Sequence, residues 1–436
     1  MSVTIARPRS LRGEIIAPGD KSVSHRAIMF NALSNTGTAS ITNFSPGGDC
    51  TATVEIMREL GVDITREAGA TGMGDRLTVK GVGLNGLQEP SEILNAGNSG
   101  TTTRLMSGIL AGRDIVTILT GDDSLKSRPM GRVVRPLSEM GAVISGRAGN
   151  TLAPLVFHGG AIHGSTYEMP VASAQLKSCL LLAGLRADGI TTLTQPAESR
   201  DHTERMFSAM GVNLKTSGLD LVLEPSELNT VDVEIPGDIS SAAFWMVAGI
   251  CHPDAELMIR NVGINPTRAG IITALQMMGA NLTLIDEREV AGEPVADVLV
   301  KTSQLKGIEL SGDIVPLLID EIPVIAVAAA IAEGETVIRD AEELRVKESD
   351  RIHTSITWLN GAGIDAIGTD DGMIIPGGET IGGGQFQSSN DHRLAMSLGI
   401  AGLISTKPIT IVDPDEAGSS YPNFWKIIQE IGGLIE

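Results

Sequence analysis

The chain has 436 residues, enough for two or three domains; 42% are hydrophobic but only 3% aromatic, so its cores must be aliphatic and closely packed. A formal net charge of −20 argues against a nucleic-acid partner, which needs a basic face, but leaves room for a basic pocket. Cys50, Cys179 and Cys251 are scattered, with no Cys-x-x-Cys, which points away from a disulfide framework and towards a reducing compartment.

No apolar segment heads the chain, so no signal peptide is expected. The first informative stretch, "PGDKSVSHRA" (18–27), reads as a strand end, a glycine turn and a helix start. Lys21, Ser22, Ser24, His25 and Arg26 fall in the first turns, where the helix dipole favours acids instead. Cations there cost stability unless an anion compensates them, and the expected anion is a ligand.

That helix continues through "SHRAIMFNAL", which is apolar nearly all round. Five more segments share this character: "GTTTRLMSGIL", "AQLKSCLLLAGL", "SSAAFWMVAGI", "EIPVIAVAAAIA" and "DHRLAMSLGIAGL". Helices apolar on every side are buried on every side. A polar cluster opens each one, from "GDKSVSHR" and "GNSGTTTR" through "VASAQLK", "GDISS" and "LIDEI" to "NDHR". The longest apolar run, "IPVIAVAAAIA", is too short to span a bilayer, so a soluble, cytoplasmic protein without a membrane partner is expected.

After each buried helix comes a short strand such as "ASITNF" or "ETVIRDA", then an amphipathic helix ending at a glycine. Those glycines, Gly61, Gly141, Gly211, Gly279, Gly363 and Gly432, are plausible C-caps. The pattern is helix, strand, helix, strand, strand, six times over, in an α/β protein. Pro-Gly-Asp occurs at 18–20 and again at 236–238, which places the hinge there. One lobe then spans 20–237 and the other combines 1–19 with 238–436. A solenoid is the competing arrangement, but duplication with matched hinges suits two closed lobes better.

Further cations occupy comparable places: Arg104, Arg128, Arg200, Lys347, Arg351 and Arg393. Arginine forks suit carboxylates and phosphates, so the ligands should carry more than one anionic group. Singly, each cation has a plainer reading; "RVKESDR" alone is more often a solvated helix face with ion pairs. Asp320 and Glu348 are the candidates for proton transfer. Asp320 heads the most apolar helix, and an N-cap role is equally supported. Glu348 lies between Lys347 and Arg351, where burial and cations push its pKa in opposite directions. "GVGLNG" (81–86) matches a dinucleotide-binding pattern but opens no helix. No phosphate-loop or metal-ligand spacing is present.

These motifs resemble the 3-phosphoshikimate 1-carboxyvinyltransferase, or EPSP synthase, family over about Pro18 to Phe424. The resemblance rests on "PGDKSVSHRA", "GNSGTTTR", "LKSRPMGR", "SAQLKS", "ESRDHTERM", "DEIPVIAVAA", "RVKESDRI" and "NDHRLAM". It implies a two-lobed inside-out α/β barrel, three βαβαββ repeats per lobe, with buried central helices and lobes that close over substrates. The implied reaction adds the 5-hydroxyl of shikimate 3-phosphate to phosphoenolpyruvate and then expels phosphate, without cofactor or metal. The family pattern puts shikimate 3-phosphate near Lys21, Ser22, Arg26, Ser173, Ala174, Gln175, Arg200, Asp320 and Lys347. It puts phosphoenolpyruvate near Lys21, Gly100, Arg128, Gln175, Arg351 and Arg393. Lys21, Asp320 and Glu348 are the implied proton-transfer groups.

The chain departs from one branch of the family at Ser419, where that branch has lysine, and it carries Ala174 and Arg200 as the other branch does. Glycine at position 100 leaves room for glyphosate, so inhibition is expected. No feature calls for an obligate dimer, and a monomer is expected. The sister UDP-N-acetylglucosamine enolpyruvyltransferase usually has a cysteine in the loop that here reads "GDDSLKSRPM". An RNA 3′-phosphate cyclase would need an adenylated histidine, for which His392 is the only analogue, and the charge disfavours RNA. A non-catalytic anion-binding repeat protein is the remaining alternative.

Overall fold

A computed structural model of the chain describes residues 2–35, 37–69 and 74–436, except the side chain of Ser419. The contact at stake in the departure at position 419 therefore lies outside the described residues. Six central helices run Lys21–Leu33 (α1), Gly100–Leu110 (α2), Ala174–Gly184 (α3), Ile239–Cys251 (α4), Ile322–Ile331 (α5) and His392–Ile404 (α6). Their apolar circumference is matched by their surroundings: every residue of α4 is buried, as are nine of the ten in α5.

The chain divides into two compact units: unit 1 holds residues 1–18, 236–288 and 294–436, and unit 2 holds 19–235 and 289–293. One cut falls inside Pro-Gly-Asp 18–20, after Pro18, and another directly before Pro-Gly-Asp 236–238. Residues 289–293 are a grouping without a sequence signal; there Glu293 Oε1 lies 2.8 Å from His202 Nδ1, both buried.

Six four-stranded sheets share one topology. In a representative sheet, Thr166–Glu168 runs parallel to Thr191–Thr194, which pairs antiparallel with Asp220–Leu223, itself antiparallel to Leu214–Ser217. Three sheets complete this pattern with a distant strand, in one of which Leu11–Ile16 lies parallel to Ala255–Gly263. Val233–Glu234 returns from the end of unit 2 to lie parallel to Thr38–Phe44. Ser2–Ala6 inserts between Ile409–Val412 and Leu434–Ile435, so the two ends of unit 1's chain share a sheet. Such exchanges leave fewer unpaired edges.

The outer helices end as their glycines predict. All six glycines have positive φ, from +76° to +104°. One residue later, an N–H reaches back to the helix: Val62 to Met57 O, Ala142 to Leu137 O, Val212 to Phe207 O, Ala280 to Leu275 O, Ile364 to Leu359 O and Gly433 to Ile428 O. This is the Schellman closure, repeated six times.

Two expectations need correction. Asp320 does not head α5; Glu321 flanks that helix, and Asp320 lies in the preceding turn. Nor is "RVKESDR" one helix face. Its first two residues, Arg345 and Val346, end a 3₁₀ turn, Glu342–Val346, and the helix Arg351–Gly361 starts only after the Asp350 cap. Among the described residues no single helix is long and apolar enough to cross a membrane.

Central helices approach closely where glycine permits. A Cβ on Gly108 of α2 would sit 2.0 Å from the Cys179 carbonyl oxygen of α3. At Gly363 nothing lies within 4 Å, and only the φ of +91° opposes a side chain. In urea denaturation, Gly108→Ala should therefore cost about 3 kcal/mol and Gly363→Ala about 1 kcal/mol. Equal costs would contradict this packing.

Candidate active site

None of the six central helices has an acidic residue in its first turn. Their N-terminal N–H groups and dipoles thus remain largely uncompensated by side-chain acids there. The groups beside them differ between the units.

Unit 2 collects guanidinium groups held by neutral oxygens. Arg26 on α1 is 3% exposed. It donates to Thr203 Oγ1 (2.8 Å), Ser178 Oγ (2.8 Å) and the Ser22 carbonyl (2.9 Å). Burial lowers its pKa to about 10. Arg104 on α2 donates to Gln175 Oε1 at 2.6 Å, and Gln175 Nε2 donates to Thr101 Oγ1 at 3.0 Å. Burial, with Arg132 and Arg128 nearby, lowers the pKa of Arg104 to about 10. Arg128 donates to the Asn98 carbonyl and side chain and to Ser124 Oγ. Among the described residues, no carboxylate lies within ion-pair distance of Arg26, Arg104 or Arg128. Gly100 sits between two of these cations: a Cβ there would meet Arg104 Nη1 at 3.0 Å and Arg128 Nη1 at 3.5 Å.

The other expected groups of unit 2 lie at the same helix ends. Lys21 opens α1, half exposed and 3.3 Å from Asp49 Oδ2. Ser173 caps α3 by accepting from Leu176 N, and Ala174 and Gln175 follow it. Arg200 stands just before the helix His202–Ala209, partly buried. Lys177, not anticipated, is 1% exposed and pairs with Glu204 Oε1 at 2.5 Å while donating to the Ser199 carbonyl, which anchors the segment carrying Arg200.

Unit 1 has the opposite character. Arg351 is buried among three carboxylates. It meets Asp391 through Nε (2.8 Å) and Nη2 (3.3 Å), Glu348 through Nη2 (2.7 Å) and Asp320 through Nη1 (3.3 Å). Burial would lower its pKa, but Asp391 and the other carboxylates raise it above the ordinary value. Lys347 lies 2.6 Å from Glu343 and 3.7 Å from Asp320. Arg393 Nη1 lies 3.5 Å from Glu321 Oε1. Lys21 and Glu348 belong to different units, while Asp320 and Glu348 are brought to one guanidinium.

The balance expected at Glu348 is not even. Burial pushes its pKa up, but Arg351 and then His392 pull it down further, and the net shift is downward. Glu348 therefore rests as a carboxylate. Asp391, fully buried and also shifted down against burial by Arg351, was quoted in "NDHR" without being singled out. Its place before a helix marks it as an N-cap, and it accepts from Arg393 N. Its ion pair with a residue 40 positions away has no local signature.

Repeated α/β units around buried helices, with arginines at helix starts, define the enolpyruvyl transferase class of fold. An enolpyruvyl transferase from Streptomyces tendae superposes with a TM-score of 0.77 over 100% of this chain and 98% of its own, at 18% identity, a likeness of fold alone. The family model EPSP synthase (3-phosphoshikimate 1-carboxyvinyltransferase) matches residues 5–428. A 3-phosphoshikimate 1-carboxyvinyltransferase of Pelobacter propionicus is 49% identical over 429 residues, 98% of either chain. An EPSP synthase structure from Acinetobacter baumannii superposes with a TM-score of 0.93 at 44% identity, covering 100% of this chain and 99% of its own. The chain belongs to the EPSP synthase family.

Removing one partner from a buried pair strands the other charge, so Asp391→Asn should cost about 3–5 kcal/mol in chemical denaturation. A loss below 1 kcal/mol would show that Arg351 is otherwise supported. Acid should also weaken the fold through histidines. Burial lowers His25 to about 3 and His392 to about 4 from 6.5. As pH falls below 6.5 the unfolded chain takes up these protons first. Stability is thus fully present above 6.5 and declines by about 1.4 kcal/mol per pH unit for each histidine. Urea midpoints at pH 7 and 5 measure the decline, and His392→Asn should make it shallower.

Proposed function

We propose that the two units divide the labour of enolpyruvyl transfer, unit 2 supplying most anion binding and unit 1 the two carboxylates of the proton chemistry, with Lys21 of unit 2 as the third proton-transfer group. The chain is a transferase of the shikimate pathway, serving aromatic amino-acid biosynthesis. It moves the carboxyvinyl group of phosphoenolpyruvate to the 5-hydroxyl of shikimate 3-phosphate and releases phosphate. The observation that carries the division is the contrast in pairing: among the described residues Arg26, Arg104 and Arg128 of unit 2 have no carboxylate within ion-pair distance, whereas Arg351 of unit 1 lies among three.

In this assignment Ser22 and Arg26 receive the shikimate 3-phosphate carboxylate. Ser173, Ala174 and Arg200, with Lys347, receive its phosphate, and Gln175 lies along the ring. Lys21, Gly100, Arg128, Gln175, Arg351 and Arg393 receive phosphoenolpyruvate. A buried arginine without a counter-ion gains most from such an anion, because its own desolvation is already paid.

Asp320 orients the 5-hydroxyl and takes its proton as the oxygen bonds to C2 of phosphoenolpyruvate. C3 gains a proton, forming the tetrahedral intermediate. Loss of a C3 proton then expels phosphate and restores the carboxyvinyl double bond. Lys21 and Glu348 are the partners proposed for C3. Arg351 must exchange a bond to hold the donor's carboxylate, and its longer contacts are the ones it gives up most readily. Arg351 is the chief influence holding the Glu348 pKa down, so drawing the guanidinium away on donor binding would ready that carboxylate to accept a proton.

The buried, free cysteines suit a cytoplasmic, reducing compartment, and the groups assigned here call on no second copy, in keeping with a monomer. Burial pushes the Cys50 thiol up to about 12, and no cysteine lies in the 121–130 loop, which disfavours the nucleotide-sugar reading.

Phosphate release should require phosphoenolpyruvate with shikimate 3-phosphate and should not occur with UDP-N-acetylglucosamine; the reverse pattern would overturn the reading. Asp320→Ala and Glu348→Gln should each lower kcat by about 10²-fold or more. Glyphosate should inhibit near the phosphoenolpyruvate KM. Gly100→Ala, whose Cβ presses on Arg104 and Arg128, should weaken glyphosate more than shikimate 3-phosphate.

A further inference from the structure

Helix α5 breaks a rule that the other five central helices keep. In those five, the flanking side chain turns back to accept an N–H from its own first turn: Asp20 from Val23, Ser99 from Thr102, Ser173 from Leu176, Asp238 from Ser240 and Asp391 from Arg393. Glu321 flanks α5 and makes no such bond. Pro323 in the first turn removes one N–H that a cap would serve. The carboxylate is nevertheless 2% exposed, and burying it is costly unless partners compensate.

Its partners lie on the two neighbouring central helices. Glu321 Oε1 accepts from Ser240 Oγ of α4 and lies 3.5 Å from Arg393 Nη1 of α6. Ser240 Oγ accepts in turn from Arg268 Nη2 at 2.7 Å, and Arg268 lies 3.7 Å from Asp238 Oδ1. Glu321 is the one carboxylate within ion-pair distance of the Arg393 guanidinium among the described residues.

We propose that Glu321 is a positioning residue for phosphoenolpyruvate binding: it gives up its capping role to hold the Arg393 guanidinium in the orientation that receives an anionic group of the donor. This rests on the reading of Arg393 as a donor ligand. Asp320 and Glu321 then form a sequence-adjacent pair, the first serving Arg351 and the second Arg393. One contact of 3.5 Å at one nitrogen orients the fork while leaving its other donors for a ligand.

Glu321→Gln keeps the shape and the Ser240 bond but removes the charge. It should raise the phosphoenolpyruvate KM about tenfold, the scale of one charged hydrogen bond. The shikimate 3-phosphate KM should stay within about twofold and the melting temperature near that of the parent. Arg393→Lys alone should also raise the phosphoenolpyruvate KM. In that background Glu321→Gln should have little further effect, because both act through one guanidinium. Equal changes in both KM values, or additive effects in the double variant, would overturn the positioning role. No change in Arg393→Lys would instead remove Arg393 from the donor site, and the proposal with it. If Glu321→Gln does not fold, Ser240→Ala loosens the same carboxylate; a rise confined to the phosphoenolpyruvate KM supports the role, and unchanged constants overturn it.

Discussion

Six helices buried on all sides must satisfy their first N–H groups without water, and the rest of the protein is arranged around that constraint. Each helix begins in a polar cluster because an apolar start would strand those donors. Aspartate or serine caps answer part of the need at five of the six helices. No acid in any first turn answers the remainder. What a stability argument alone would count as a defect is, in the proposed function, a place for anionic substrates.

The two units use this shared plan differently. In unit 2 Arg26, Arg104 and Arg128 are held by hydroxyls, amides and carbonyls, which fix their direction without neutralising them. In unit 1 Arg351 is neutralised several times over, and its role extends to holding Asp320 and Glu348 in place. A buried guanidinium with three carboxylates is stable only as a set, so Asp320 and Glu348, the acids proposed for proton transfer, are positioned by the same cation that is proposed to receive the donor.

Much of this was legible in the chain. Nearly all-round apolarity located the six central helices to within a few residues. Glycines recurring at matched offsets marked six helix ends, because only a residue without Cβ sits easily at positive φ there. Less was legible at the site. "RVKESDR" looked like a continuous helix face, since i,i+3 and i,i+4 spacings read the same whether or not a break intervenes. Asp391, Lys177 and Glu321 lay inside the polar clusters that open the apolar helices, with nothing local to set them apart from their neighbours.

By itself, then, the sequence determined the repeat, the buried helices, the glycine ends of the outer helices and the family, because periodicity and turn chemistry are local properties carried by neighbouring residues. Tertiary structure alone decided which charges neutralise one another. Arg351 meets Asp391 and Asp320 across 40 and 31 positions, and Glu321 meets Arg393 from another helix. Whether Glu348 rests ionised, or Arg26 remains without a carboxylate, depends on burial and on distances of a few ångströms. Only the packed chain sets these, and Coulomb energies change steeply over them.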